Sequence, residues 1–409
     1  MLRRINFYSI CFAFGVSVLL ILAGSRYTDN VSYRPSTENR RNTRNFLKVE
    51  DEEDMYQSVP TNVYDGSPNI EKILEKTRAK IKQNFVKYNF SYSGVHKLED
   101  LLMEAGGQPL RSIIISTWRS GTTFLGEVLD AMPGNFYHYE PLLKYEIIQI
   151  RGPPLADQAL STIKSMLRCN YDNLQDYFQY GKTHLYQFSH NTRLWDHCKY
   201  NKELCFDANF TERFCKLFPF QSMKVVRLRL RLVEELLEDK ELKAKIILLI
   251  RDPRGVLQSR QHRDFCQPSP DCWEPQLLCA DMISDYVAAA RLLKQFPNKL
   301  MVLRYEELAL QPNRTTHDLL KFLGLGPMPS INEFLHTHTN TYVDGVSSTF
   351  RISRAVPFRW REVLDFHFVE NIQSACREAM ALWGYQPAHN ATHMTSKHFT
   401  VLQNYTIEV

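Results

Sequence analysis

No two cysteines of this chain stand at C-x-x-C spacing, no Gly-x4-Gly-Lys-Ser/Thr loop is present, and no Asp-x-Asp pair occurs. Each absence removes a class. Cysteines without that spacing are a poor zinc framework. Without the second glycine and the lysine after it, the ATPase and GTPase phosphate loop is missing. Without Asp-x-Asp, the metal-held sugar-nucleotide grip of many glycosyltransferases is missing too. Charge is nearly balanced, with 50 Lys+Arg against 45 Asp+Glu and a net of +5, which is no footprint for nucleic acid. The chain has neither an internal repeat nor a low-complexity tract.

What is present begins at the N-terminus. Arg3 and Arg4 precede an apolar run over residues 5–24, and Arg26 follows it. About twenty residues suffice to cross a bilayer as a helix, whereas a cleaved signal has a shorter apolar core. Ala23-Gly24-Ser25 would serve as a cleavage site, but the length favours an uncleaved anchor. The short basic tail, 1–4, is expected on the cytosolic side, with everything after Arg26 lumenal. Cys11 lies in the run, which leaves eight cysteines, an even number suited to disulfides. The groups 198/205/215 and 266/272/279 suggest local bridges; a metal held by four cysteines is the alternative. Sequons stand at Asn30, Asn89, Asn209, Asn313, Asn390 and Asn404.

Residues 25–107 read as a stem, polar and unpatterned to about Ser67. A helix is expected from Ser67-Pro68, with Ile70, Ile73, Leu74, Ile81 and Phe85 at near-helical spacing, packing on the domain rather than coiling with a second copy. The domain is expected over 108–390, with a tail at 391–409. Strands are predicted at Ile113–Ile115, Asn135–Leu142, Met223–Leu230, Lys245–Ile250 and Leu300–Tyr305. Helices are predicted after Thr123 and Pro253, over Ala280–Phe296 and Asn313–Leu323, and over Phe366–Trp383. Residues 155–220 read as an insertion of short helices. Alternating strands and helices predict an α/β fold with a parallel sheet flanked by helices.

In such sheets ligands sit at the carboxyl ends of the strands. The first strand runs into Thr117-Trp118-Arg119-Ser120-Gly121-Thr122-Thr123 and then a helix. Loop amides and a helix N-terminus make an anion site there, and Arg119 adds a full charge. The fourth strand ends in Arg251-Asp252-Pro253-Arg254-Gly255-Val256-Leu257-Gln258-Ser259, which offers a planar guanidinium and a hydroxyl to a second anion. Alternatively, Arg251 pairs with Asp252 or Glu306. Glu140, at the end of the second strand, is the candidate general base, and His138 the runner-up. Arg227, Arg229 and Arg231 alternate; only Arg227 is expected to face the site, with the other two solvated.

The pair TWRSGTTF and IRDPRGVLQSR resembles the donor motifs of Golgi carbohydrate sulfotransferases, chiefly the galactose/N-acetylglucosamine/N-acetylgalactosamine 6-O-sulfotransferases. Glu140-Pro141-Leu142, Lys224 with Arg227, Arg304–Leu308 before Pro312, Phe322-Leu323-Gly324, and Cys376 ahead of Gly384-Tyr385 extend the resemblance collinearly over about 110–386. It implies a sulfotransferase fold with a P-loop-like strand–loop–helix, and 3′-phosphoadenosine 5′-phosphosulfate as donor, with no metal. Trp118, Arg119, Ser120, Gly121, Thr122 and Thr123 would grip the 5′-phosphosulfate, and Arg251 with Ser259 the 3′-phosphate. Arg351 and Ser353 would add donor contacts, although Ile352 stands where a polar residue is usual. Arg119 and Glu140 would be catalytic. The implied partners are a glycan or proteoglycan acceptor and, through the N-terminal helix, the Golgi membrane; homodimerisation is left open. A Golgi glycosyltransferase shares the anchor, stem, cysteines and sequons, and is the competing reading.

Overall fold

The computed structural model describes residues 69–345 and 348–408. Five parallel strands form its sheet: β1 Leu110–Ile115, β2 Asn135–Tyr139, β3 Phe220–Val225, β4 Lys245–Ile250 and β5 Leu300–Arg304. Their order is β2-β3-β1-β4-β5. The chain leaves β1 toward one edge and crosses back past it to β4, so the strand order reverses at β1, where α/β sheets bind ligands. Ile113 to Ile115 and Ile246 to Leu248 are fully buried. Helices cover both faces, and such strands read as unbroken apolar runs.

β3 starts and ends earlier than the Met223–Leu230 prediction. Gln221 and Ser222, near its start, are polar but buried, and Asn135 Nδ2 donates to Ser222 Oγ at 2.7 Å. Cross-strand pairing thus hides a strand that hydropathy misses. Beyond Val225 the ladder ends and Leu228 makes only an isolated bridge to Ile150, so the three alternating arginines share no strand face. Arg229, expected to be solvated, is instead buried against Asp285 (2.8 Å) and Asp281 (3.4 Å); Arg231 is exposed, as expected.

Helix α1 (Ile70–Phe85) starts at Asn69, whose side chain accepts from the Lys72 N–H at 3.0 Å. It buries Leu74, Thr77, Ile81 and Phe85, and Phe85 meets Phe220 edge-on at 5.5 Å. It packs on the domain, so the packed body begins before residue 108. The helices that matter below are α2 (Thr122–Asp130), α3 (Pro253–Arg260), α4 (Pro275–Gln295), α5 (Pro312–Leu323) and α6 (Pro329–Asn340). The single helix expected over 366–383 is two, Phe366–Ala375 and Arg377–Leu382. The break falls at Cys376, which is bonded to Cys279 of α4. Tyr385 bridges to Leu402, so packing also continues past residue 390.

The remaining disulfides are Cys169–Cys215, Cys198–Cys205 and Cys266–Cys272. Two bridges are local, but Cys215 and Cys279 pair outside their groups. With eight thiols bonded in pairs, the cysteine-held metal is overturned. Among the described residues no helix is long and apolar enough to cross a membrane. The expected anchor at 5–24 and the stem to residue 68 lie outside the described residues.

Candidate functional site

The turn between β1 and α2 has positive φ at Arg119 (67°) and Gly121 (88°). A Cβ on Gly121 would stand 2.3 Å from Tyr305 Cδ2, so glycine is required both for conformation and for space. Gly121 is the N-cap of α2 and supplies no capping side chain. The first-turn N–H groups therefore face the loop as anion donors. Ser120 Oγ is buried beside them with no partner in the chain.

The loop is held up from α3. Arg260, fully buried, donates through Nε and Nη2 to the Trp118 carbonyl (3.2 and 3.0 Å) and through Nη2 to Thr117 Oγ1 (2.8 Å). Burial, with Arg229 and Arg119 nearby, pulls its pKa down to about 9. Sequence reasoning passed over this residue. The Trp118 ring is buried in a small apolar cluster with Val226, Cys266 and Cys272, so Trp118 gives the loop its backbone rather than its ring.

The second motif meets the first here. Asp252 caps α3, accepting from the Arg254 N–H (2.9 Å), and forms a fully buried ion pair with the Arg254 guanidinium (2.8 Å). Arg251 instead donates to the Arg119 carbonyl at 2.7 Å and lies 4.5 Å from the Tyr305 ring centroid. Arg119 Nε donates to Ser259 Oγ at 3.1 Å. Arg119, Ser120, Gly121, Arg251 and Ser259 thus converge.

On the other side of β1, Glu140 follows β2 with φ 42° and is 8% exposed. Lys224 Nζ lies 2.7 Å from Oε1, and Arg227 Nη1 pairs with Oε2. Burial alone would raise this carboxyl's pKa, but the two cations outweigh it and hold Glu140 down to about 2. Lys224 Nζ also donates to Thr123 Oγ1 at 3.1 Å, joining α2 to Glu140. The strand order makes this contact possible: Lys224 is in register with Tyr139 on one side and Ile114 on the other. His138 does not share the site. It packs against Phe136 (5.0 Å), whose ring meets Phe214 and Phe218, and burial drives its pKa down to about 3.

The segment with Arg351 and Ser353 borders the loop. Thr349 Oγ1 donates to Glu127 Oε2 of α2 at 2.6 Å, and Ser353–Ala355 packs on the helix Tyr305–Leu310. The Arg351 guanidinium donates to the Val343 and Gly345 carbonyls, tying down its own loop. Ile352 is exposed.

A parallel sheet whose carboxyl edge carries an uncapped helix N-terminus, two arginines and a buried lysine defines a protein that handles polyanionic ligands. The profile of the family described as "Sulfotransferase domain" matches residues 109–384, and the chain belongs to that family. It is similar to carbohydrate sulfotransferase 3 of Mus musculus, 27% identical over 349 residues and 73% of each chain. Carbohydrate sulfotransferase 6 of Homo sapiens is 25% identical over 331 residues, 70% of this chain and 83% of the relative. Among solved structures, the sulfotransferase domain of the Synechococcus PCC 7002 olefin synthase aligns over 65% of this chain and 94% of its own, with 15% identity and a TM-score of 0.35. Mouse sulfotransferase SULT7A1 complexed with PAP aligns over 66% and 85%, with 12% identity and a TM-score of 0.32. The family match overturns the glycosyltransferase reading.

Proposed function

We propose that the protein transfers a sulfuryl group from 3′-phosphoadenosine 5′-phosphosulfate to a sugar hydroxyl, O6 of Gal, GlcNAc or GalNAc, on a glycan or proteoglycan. The observation that carries this reading is the junction of Arg119, Arg251 and Ser259 beside the uncapped start of α2. A donor with phosphate at both ends needs two anion grips held rigidly together. The carbohydrate sulfotransferases among its relatives support the carbohydrate acceptor.

In the reaction the acceptor oxygen bonds to sulfur while the bond from sulfur to the 5′-phosphate oxygen breaks. The electron pair of that bond leaves with 3′,5′-bisphosphorylated adenosine, and the hydroxyl proton goes to the protein. Arg119, the loop amides and Lys224 stabilise the charge growing on the leaving phosphate, a preorganised electrostatic contribution. Glu140 takes the proton. A carboxylate with a pKa of about 2 is too weak a base for this. The negative charge of the bound donor offsets the field of Lys224 and Arg227 at Glu140 and so raises the carboxyl's proton affinity. Ser120, Thr122 and Thr123 line the 5′ end. Arg251 and Ser259 take the 3′-phosphate, with Arg351 and Ser353 adding contacts from the bordering loop.

The apolar run at 5–24, the sequons and the four disulfides support a single-pass Golgi membrane protein with its catalytic domain in the lumen. The test is transfer of labelled sulfate to chains built from the three sugars, with the sulfate position mapped. Thermal stabilisation by 3′,5′-bisphosphorylated adenosine, and none by UDP or GDP, is expected alongside. Absence of transfer, or stabilisation by UDP alone, overturns the reading.

A further inference from the structure

Beside Glu140 a line of rings leads away from the reaction centre into the insertion. Tyr139, the last residue of β2, has Lys224 Nζ 4.1 Å from its centroid. The His190 ring stacks on it at 3.8 Å and 14°. Tyr139 meets Tyr186 edge-on at 6.4 Å, Tyr186 meets His184 edge-on at 6.0 Å, and His184 stacks on Tyr180 at 4.0 Å and 4°. Tyr139 is buried, whereas Tyr180, His184 and Tyr186 are half-buried. The line therefore rises from the catalytic carboxylate to the surface.

These rings are not what holds the insertion together. The same short helices, Gln175–Thr183 and Tyr186–Ser189, bury Phe178 and Phe188 in the core, with those rings stacked on one another at 6.3 Å. Tyr180, His184 and Tyr186 carry polar atoms and remain partly open to solvent. The first helix is also tied to the segment after Glu140, since Lys144 pairs with Asp176 at 3.4 Å. The His190 Nε2, at the inner end, is buried with no partner in the chain, as expected of a group whose partner is a ligand.

We propose that Tyr180, His184 and Tyr186 form a subsite for the sugar residues that adjoin the one being sulfated, with His190 hydrogen-bonding the acceptor at its inner end. This rests on the glycan-acceptor reading above. A pyranose presents a face of C–H bonds that lies flat on an aromatic ring, while its edge hydroxyls seek polar atoms. Rings with polar tips supply both, at little entropic cost. The subsite adds affinity for longer chains without touching the donor.

The experiment uses the whole protein and two probe series, desulfated chondroitin and poly-N-acetyllactosamine, each as disaccharide and hexasaccharide. In the wild type the KM is lower for the hexasaccharide of at least one series. Tyr180→Ala and Tyr186→Ala remove that gain, raising the hexasaccharide KM about three- to tenfold, while affinity for 3′,5′-bisphosphorylated adenosine matches wild type. Tyr180→Phe, which keeps the ring, restores most of the gain. Tyr200→Ala, an exposed tyrosine outside the line, serves as control. A length gain that survives in both alanine variants overturns the subsite, as does its absence in the wild type. Bisphosphate binding without transfer to either series overturns the glycan acceptor and the subsite with it.

Discussion

Arg119 and Ser259 lie 140 residues apart in the chain and meet at 3.1 Å, Nε to Oγ. This contact joins the two motifs into one site, because the arginine that reaches Ser259 also offers its carbonyl to Arg251. The two proposed anion grips therefore brace one another.

Arg251→Ala removes both the 3′-side cation and the brace on the Arg119 carbonyl. Charge-assisted hydrogen bonds contribute about 1.5–3 kcal/mol, so affinity for 3′,5′-bisphosphorylated adenosine falls about ten- to hundredfold. Affinity for 5′-AMP, which lacks the 3′-phosphate, falls far less. Calorimetric titration with both nucleotides decides; an equal loss for the two moves the 3′-phosphate elsewhere.

Glu140→Gln keeps donor binding and lowers kcat by about a hundredfold or more. Comparable turnover would remove Glu140 from the base role. The variant is also less stable at neutral pH, by about 3 kcal/mol, because Lys224 and Arg227 remain buried without their counter-charge. The folded-state pKa is depressed, from 4.5 to about 2. The ion-paired carboxylate therefore contributes stability that is complete above about pH 4.5 and is lost as pH falls toward 2. Denaturant unfolding across that window should show a drop in the wild type that is reduced in Glu140→Gln.

Gly121→Ala forces a side chain into the Tyr305 ring at a backbone angle that alanine disfavours. The loop shifts, and bisphosphate binding weakens at least about tenfold, on the order of 1.4 kcal/mol. Wild-type affinity in this variant would show that the loop conformation is not the anion seat.

Glu306 gives a pH effect of opposite sign. Fully buried beside Asp252, it accepts from the Asp252 N–H (3.0 Å) and the Tyr385 hydroxyl (2.9 Å). Burial, reinforced by the Asp252 charge, pushes its pKa up from 4.5 to about 7. The folded state then binds more protons than the unfolded one, so this group's contribution to stability declines as pH rises from about 4.5 to 7. Asp285, raised to about 6 by burial, adds to the same slope. Melting temperatures of Glu306→Gln between pH 5 and 8 should lose part of that decline; an unchanged slope would exclude Glu306.

The best-read parts of the chain were those whose signals are local. β4 was bounded correctly because a strand covered on both faces is an unbroken apolar run, here Ile246–Ile250, set between the charged Lys245 and Arg251. The turn at Gly121 was legible from residue types, as was the start of α3 at Asp252-Pro253. β3 was misplaced because Gln221 and Ser222 are buried despite being polar, Ser222 paired with Asn135 of β2, while Arg227 and Arg229 alternate like a strand without forming one.

What the sequence determined by itself is the set of parts: a parallel α/β fold, a strand–loop–helix anion seat, and a second arginine–hydroxyl motif. Only the tertiary structure decided how they meet. The order β2-β3-β1 sets Lys224 between Thr123 and Glu140, and this turns a candidate free base into a doubly paired carboxylate. Asp252 pairs locally with Arg254 at the start of α3, and the packing of β4 beside β1 brings Arg251 to the loop. Strand propensity and loop chemistry act over a few residues, whereas ion pairing depends on which strand ends become neighbours, and that is fixed only when the sheet assembles.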